Sequence, residues 1–272
     1  MSEMRKLDNV KKQYSNDKNL SIRTNLHIKY STNTQGFVPW LFEQYNFAAN
    51  FDILELGCGN GGLWEGRIES MPPGSNLVLS DFSNGMVKIV EKKYRIYNNV
   101  SAKQINIEDI PYQGRKFDVI IANHMLYHVP NLTKALSEVS RILKKDGKFY
   151  CTTNGKEGMT AYLKHAIRSI NPNSTSFTQE IPFNLENGQG ILERHFDSVK
   201  RLDYEDSLRI TNTQDLIEWI KSTLSITSHN DIDIAELYNY FENIRKSKGV
   251  IEIPKECGLF TCMKPFYKTA NV

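Results

Sequence analysis

The chain has 272 residues, of which 40% are hydrophobic and 24% charged, and its 34 Lys and Arg nearly balance 31 Asp and Glu for a net charge of +3. The length is long for one simple domain and short for two, so one domain with insertions is expected. The balanced charge gives no basic footprint for nucleic acid, and no window approaches the roughly 18 consecutive apolar residues of a membrane span.

The N-terminal stretch, Met1 to Lys18, is polar, with no apolar core and cleavage site, so a cytoplasmic protein is expected. Residues 37–45, Phe-Val-Pro-Trp-Leu-Phe-Glu-Gln-Tyr, predict an amphipathic helix with Pro39 in its first turn. From residue 51 strand and helix patterns alternate. Strands are predicted at 53–56, 76–80, 101–107, 117–123 and 148–152, and helices at 62–70, 85–97 and 132–143, with Gly147 in a turn as a helix cap. Apolar strands separated by helix-length segments predict a parallel sheet covered on both faces. After 153 the pattern predicts helices at 157–169, 213–225 and 234–246, a loop-rich cover at 171–190, and strands at 196–204 and 258–264. The four cysteines, at 58, 151, 257 and 262, contain no C-x-x-C pair, so free thiols and no metal site are expected.

In a doubly wound sheet, ligands bind beyond the carboxyl ends of the strands. The first strand ends in Glu55 and a turn carrying Gly57, Cys58, Gly59, Gly61 and Gly62. Gly57, Gly59 and Gly62 satisfy G-x-G-x-x-G, a weak dinucleotide signal taken alone. The second strand ends at Asp81, Phe82 and Ser83, placed so that an acid can accept ribose hydroxyls. The third ends at Asn106, Ile107 and Glu108, where a side chain and a backbone N–H can meet an adenine edge. The fourth ends in Asn123-His124-Met125-Leu126-Tyr127-His128. Plainer readings stand beside these: Asp81 as a helix N-cap, Asn106 as a turn residue, and the two histidines as packed or capping groups.

Glu-Leu-Gly-Cys-Gly-Asn-Gly, then Leu-Ser-Asp-Phe-Ser, then Asn-Ile-Glu-Asp-Ile-Pro, then Phe-Asp-Val-Ile-Ile-Ala-Asn-His-Met-Leu-Tyr-His-Val, resembles the class I S-adenosylmethionine-dependent methyltransferases over roughly residues 37–153. The resemblance implies an α/β fold with a doubly wound, seven-stranded, mostly parallel sheet, N-terminal helices and a helical insertion before the last strand. It divides the chain into a segment over the cofactor (1–50), a binding core (51–153) and a sheet-completing, acceptor-lining part (154–272). It implies that Gly57, Cys58, Gly59 and Gly61 lie under the methionine part and ribose. Asp81 would hold the ribose, and Phe82, Ser83 and Met86 would lie at the adenine. Asn106, where the family usually has Asp, would accept the adenine amine, Ile107 would offer its N–H, and Glu108 would stand beside them. Asn123 would hold the methionine ammonium through its backbone carbonyl, with Glu55 close by, and Tyr30 would touch the cofactor from the N-terminal segment.

The implied reaction is an in-line methyl transfer that turns S-adenosylmethionine into S-adenosylhomocysteine. His128, then His124, are the candidates for a general base, since histidine ordinarily titrates near neutrality. Aromatics outside the core, Tyr14, Trp40, Tyr45, Phe177, Trp219 and Phe241 among them, are core or lid residues taken singly. Together they suggest a partly apolar pocket for a small-molecule acceptor, methylated on oxygen or nitrogen. A peptide or RNA acceptor, a metalloid acceptor and a non-catalytic binding module are the alternatives. Neither a nucleic-acid nor a membrane partner is expected, and monomer and homodimer are both open.

Overall fold

The computed structural model describes residues 17–178, 181–223 and 231–267. Tyr14, and the last two residues of the helix predicted at 213–225, lie outside them.

The chain runs α1 (Lys18–Tyr30), α2 (Phe37–Gln44), β1 (Asp52–Leu56), β2 (Asn76–Asp81), α3 (Asn84–Tyr94), β3 (Val100–Gln104), β4 (Phe117–Asn123), α4 (Leu132–Ile142) and β5 (Leu143–Asn154). It continues through α5 (Met159–Ile170), α6 (Gly188–Leu192), β6 (Phe196–Ile210), α7 (Thr213–Thr223), α8 (Ile234–Lys248) and β7 (Ile251–Pro265). The seven strands form one sheet in the order β3-β2-β1-β4-β5-β7-β6. β1 to β5 are parallel, and β7 runs antiparallel to both β5 and β6. The α/β sheet is therefore the seven-stranded, mostly parallel one expected, with α7 and α8 inserted before the last strand.

Side chains alternate across a strand, so each central strand feeds two cores. Leu54, Leu56, Ile120 and Phe149 pack with Leu136, Val139 and Ile142 of α4 on one face. Ile53, Val119, Ile121 and Tyr150 pack with Trp40 and Leu41 of α2 and Val90 and Tyr94 of α3 on the other. Burying each such side chain contributes roughly 1.5–3 kcal/mol. A third cluster joins α1, α5, α7 and α8 to Leu208, Ile210, Ile251 and Ile253, where β6 and β7 run past the end of β5.

Three local expectations need correction. The helix predicted at 62–70 is two 3-10 turns, Gly62–Trp64 and Ile68–Ser70, because Gly66 between them takes φ +67°. Gly147 caps no helix: α4 ends at Ile142 and β5 begins at once. The β4–β5 register jumps from Phe117↔Leu143 to Val119↔Lys148, and a Cβ on Gly147 would lie 2.9 Å from the Asp118 carbonyl. The glycine thus serves the close approach at that irregularity. β3 stops at Gln104, and Asn106 opens a tight turn.

Candidate active site

The strand order reverses between β1 and β4, and the predicted residues gather at the carboxyl ends of the strands beside that switch. Gly57, Gly59 and Gly61 have φ of +71°, +55° and +73°, which side chains rarely tolerate. Space matters as much. A Cβ on Gly57 would lie 2.8 Å from Met125 Cβ, one on Gly59 2.9 Å from Leu20 Cδ2, and one on Gly61 2.7 Å from Tyr94 Cε2. The turn is thus enclosed by β4's following loop, by α1 and by α3. Tyr94 Oη fixes it further by donating to the Gly61 carbonyl at 2.6 Å. Cys58 is buried, its N–H donates to the Ser80 carbonyl at 2.9 Å, and burial pushes its thiol well up.

Asp81 joins β2 to this turn. Its carboxylate accepts the Gly59 N–H at 3.0 Å through one oxygen and the Ser83 N–H at 2.8 Å through the other. Asp81 is not the N-cap of α3: Ser83 is, accepting from Met86 N at 3.4 Å. Burial raises the Asp81 carboxyl, opposed by the N–H donors of Ser83 and Gly59. Glu55 is 2% exposed and accepts from Trp64 Nε1 at 2.8 Å. Burial pushes it up to about 8, the indole N–H working against this and the nearby Asp81 charge adding to it.

Asn106 is exposed, and its side-chain oxygen accepts the Glu108 N–H at 3.0 Å. Glu108 accepts the Asn131 N–H at 2.9 Å, which ties the third strand end to the start of α4. Ile107 and Met86 are buried, and Phe82 is half-buried with its carbonyl held by Gln104 Nε2 at 2.9 Å. Asn123 donates its side-chain N–H to Tyr45 Oη at 2.9 Å, and its buried Oδ1 has no partner.

Tyr30 donates to Asp215 at 2.6 Å and packs among the helices of the third cluster. Leu20, on the same helix, is the residue that reaches the glycine turn. His128 ends the 3-10 turn Leu126–His128, its ring 4.6 Å from that of Tyr127. His124 has φ +49°, and its N–H meets the Thr152 carbonyl at 3.2 Å and Oγ1 at 3.1 Å. Burial, aided by the charge of Lys255, pushes the His124 imidazole down to about 4 rather than near neutrality.

Leu20, Trp64, Tyr94 and Met125 touch the predicted residues and were not among them, while Tyr45, expected as a pocket aromatic, meets Asn123 instead. Trp64 carried a signal: a buried acid needs a donor, and the segment after the turn holds one indole N–H. The others are brought in only by tertiary packing. The aromatics expected to line a pocket are mostly core: Trp40 and Tyr45 in the second cluster, Phe177, Trp219 and Phe241 in or against the third. A cleft of about 500 Å³ between α7 and α8, lined by Gln214, Ile217, Lys221 and Tyr238, is part of that helical region and not of the glycine turn.

These groups fit S-adenosylmethionine. The half-buried Asp81 carboxylate keeps lone pairs for hydroxyl donors, Glu55 lies buried behind the turn, and Asn123 Oδ1 is an unspent acceptor.

Residues 54–151 match the family described as "Methyltransferase domain". The chain is 31% identical over 116 residues to a demethylmenaquinone methyltransferase of Lactobacillus johnsonii, covering 42% of this chain and 48% of that protein. It is 27% identical over 180 residues to a malonyl-[acyl-carrier protein] O-methyltransferase of Ilyobacter polytropus, 66% of each. The alignments to the demethylmenaquinone methyltransferases span about half the length of those relatives. The fold matches that of Haemonchus contortus phosphoethanolamine N-methyltransferase 2, solved with S-adenosyl-L-methionine, at a TM-score of 0.59 and 14% identity, over 98% of this chain and 61% of that one. Residues 54–151 thus carry a methyltransferase domain, and the motif order and strand order agree with the fold of the class I S-adenosylmethionine-dependent methyltransferases.

Proposed function

We propose that this chain transfers a methyl group from S-adenosylmethionine to a small organic acceptor, on oxygen or nitrogen. The observation that carries the reading is the joint made by the Gly59 N–H and the Asp81 carboxylate, 3.0 Å apart at the ends of β1 and β2. In this reading Gly57, Cys58, Gly59 and Gly61 lie under the methionine part and ribose. Asp81 takes the ribose hydroxyls with its remaining lone pairs. Phe82, Ser83 and Met86 bound the adenine, with Asn106, Ile107 and Glu108 at its edge. Asn123 and Glu55 serve the methionine end. The N-terminal segment 1–50, of which residues 17–50 are described, is assigned to cover the ligand, with Tyr30 anchoring α1 on α7 through Asp215.

When bound, S-adenosylmethionine supplies a methyl carbon on sulfonium that the acceptor's lone pair takes as the carbon–sulfur bond breaks toward sulfur. The chain's own part is to align the acceptor and exclude water, effects worth roughly 7–11 kcal/mol in favourable systems. A proton leaving the acceptor is assigned to His128 first. His124, held near 4, is neutral at pH 7 and binds a proton poorly.

The test is a coupled homocysteine-release assay over small phenols, amines, carboxylates and thiols. Turnover with at least one class supports the reading, and turnover with none while S-adenosylhomocysteine binds supports a binding module. Rates unchanged in both His128→Asn and His124→Asn would remove the histidines from the chemistry. A relative named a ubiquinone/menaquinone biosynthesis C-methyltransferase favours carbon as a further acceptor atom, which fragmentation of the product by mass spectrometry distinguishes.

A further inference from the structure

His124 follows the last residue of β4 and stands in the left-handed region, at φ +49°, where residues other than glycine are uncommon. Such strain persists only where the surroundings fix it, and it gathers at functional sites. Here the surroundings are explicit. The His124 N–H points to β5 and is shared between the Thr152 carbonyl at 3.2 Å and the Thr152 hydroxyl at 3.1 Å. Thr152 is fully buried. The His124 ring is held from two further elements: Nε2 lies 3.5 Å from Cys257 Sγ of β7, and the ring centre 5.4 Å from that of Phe37 of α2.

This clamp sets the direction of the Asn123 carbonyl. The 123–124 peptide is trans, so its C=O points opposite to its N–H. With the N–H on the β5 side, the carbonyl faces the β1 side, because β4 lies between those two strands. β1 no longer pairs there, since the β1–β4 register ends at Glu55↔Ile121. Parallel ladder bonds recur every two residues, so one step further the Asn123 carbonyl would take the N–H of Cys58. Cys58 gives that N–H to the Ser80 carbonyl of β2 instead, at 2.9 Å. Among the described residues no backbone N–H of the glycine turn takes its place.

The left-handed turn at His124 also ends the strand and brings the chain back to the glycine turn, where Met125 Cβ lies 2.8 Å from the position of a Cβ on Gly57. An acceptor oxygen is thus aimed at a turn of bare backbone, with Met125 beside it. A carbonyl accepts and cannot donate, so the ligand group that satisfies it is a donor. A charged N–H is the strongest such donor. In the methyl-transfer reading the ammonium of the methionine part supplies it.

We propose that Thr152 and His124 are positioning residues for the methyl donor: the Thr152 hydroxyl and the left-handed turn at His124 hold the 123–124 peptide so that the Asn123 carbonyl meets the methionine ammonium. The inference rests on the methyl-transfer reading above and gives His124 a backbone task distinct from proton transfer.

The test titrates S-adenosylhomocysteine into the full chain by calorimetry, beside its deaminated analogue, which carries hydrogen in place of the ammonium and is read by competition. Thr152→Val keeps the shape and removes one acceptor of the clamp. It should weaken S-adenosylhomocysteine about threefold to tenfold, the loss of one hydrogen bond, and leave the affinity of the analogue unchanged. Asn tolerates the left-handed region and β-branched Val does not. His124→Asn should therefore bind S-adenosylhomocysteine within about twofold of the wild type, and His124→Val about tenfold or more weakly, again with the analogue unaffected. A merely structural role would weaken both ligands alike. If the losses are equal for the two ligands, or Thr152→Val binds S-adenosylhomocysteine like the wild type, or His124→Asn loses as much as His124→Val, the assignment is overturned and the donor site stands. Thr152→Val decides the matter if His124→Val does not fold. If S-adenosylhomocysteine fails to bind the wild-type chain, the proposed function itself fails.

Discussion

Glu55 is an acid with one indole N–H for company, and its carboxyl is held near 8 against an ordinary value of 4.5. Below about pH 4.5 it is protonated in both folded and unfolded chains. Between there and about pH 8 only the folded chain holds the proton, so the stability it contributes is present at low pH and is lost as pH rises through that window. Each pH unit is worth about 1.4 kcal/mol at most. Glu55→Gln keeps an acceptor for Trp64 and has no proton to lose. It should therefore unfold in urea with a midpoint that falls less between pH 5 and pH 8 than the wild type's. A wild-type midpoint with the same pH dependence as the variant's would remove the buried, protonated acid. Asp81 has a different task, since its carboxylate holds the turn and is the ribose acceptor of the proposed site. Asp81→Ala should weaken S-adenosylhomocysteine by about tenfold to a hundredfold, the loss of one or two charge-assisted bonds, as read by calorimetry. Asp81 and the glycines were legible because they punctuate the ends of apolar runs. Leu20 and Met125 were not: nothing local marks a leucine or methionine that closes over a glycine, and the contact exists only once α1 and the β4 loop have packed.

At the scale of elements, α1 is fastened at its C-terminal end and meets the glycine turn at its N-terminal one. Lys29 and Tyr30 hold Asp215 of α7, both at 2.6 Å, and Ser31 follows with Asp206 of β6. Leu20 lies ten residues before Tyr30 at the turn. Asp215→Ala removes the α7 anchor and leaves both sheet cores intact. Hydrogen exchange over residues 18–30 should then quicken, and S-adenosylhomocysteine should bind a few-fold more weakly. Unchanged exchange there would show that the ion pair does not hold the helix. The parallel strands β1 and β4 were legible because their residues are buried on both faces. The full reach of β6 and β7 was not. In the edge strand β6 the polar run Glu205-Asp206-Ser207 follows Tyr204 and interrupts the apolar pattern, which resumes only at Leu208 and Ile210. Pro254 reads as a strand breaker, yet it sits in β7 where β5 no longer pairs with it, so one side of the strand needs no N–H there.

Over the whole molecule, two packed faces hold a sheet whose order reverses beside the glycine turn, while the third cluster sets α1, α5, α7 and α8 over the extended β6–β7 ladder. The donor half of the proposed site comes from the matched domain, residues 54–151, and the acceptor half from what surrounds it. That division explains why the motifs spoke for the donor and were silent on the acceptor, since they all lie within residues 54–151 or at their edge. Among the described residues no helix is long and apolar enough to cross a membrane. The central claim is that the turn, Asp81 and Asn123 form one site for S-adenosylmethionine. Isothermal titration of S-adenosylhomocysteine into the full chain tests it most directly. The account predicts one site with micromolar or tighter affinity, and a titration with no binding heat at any temperature tried would contradict it.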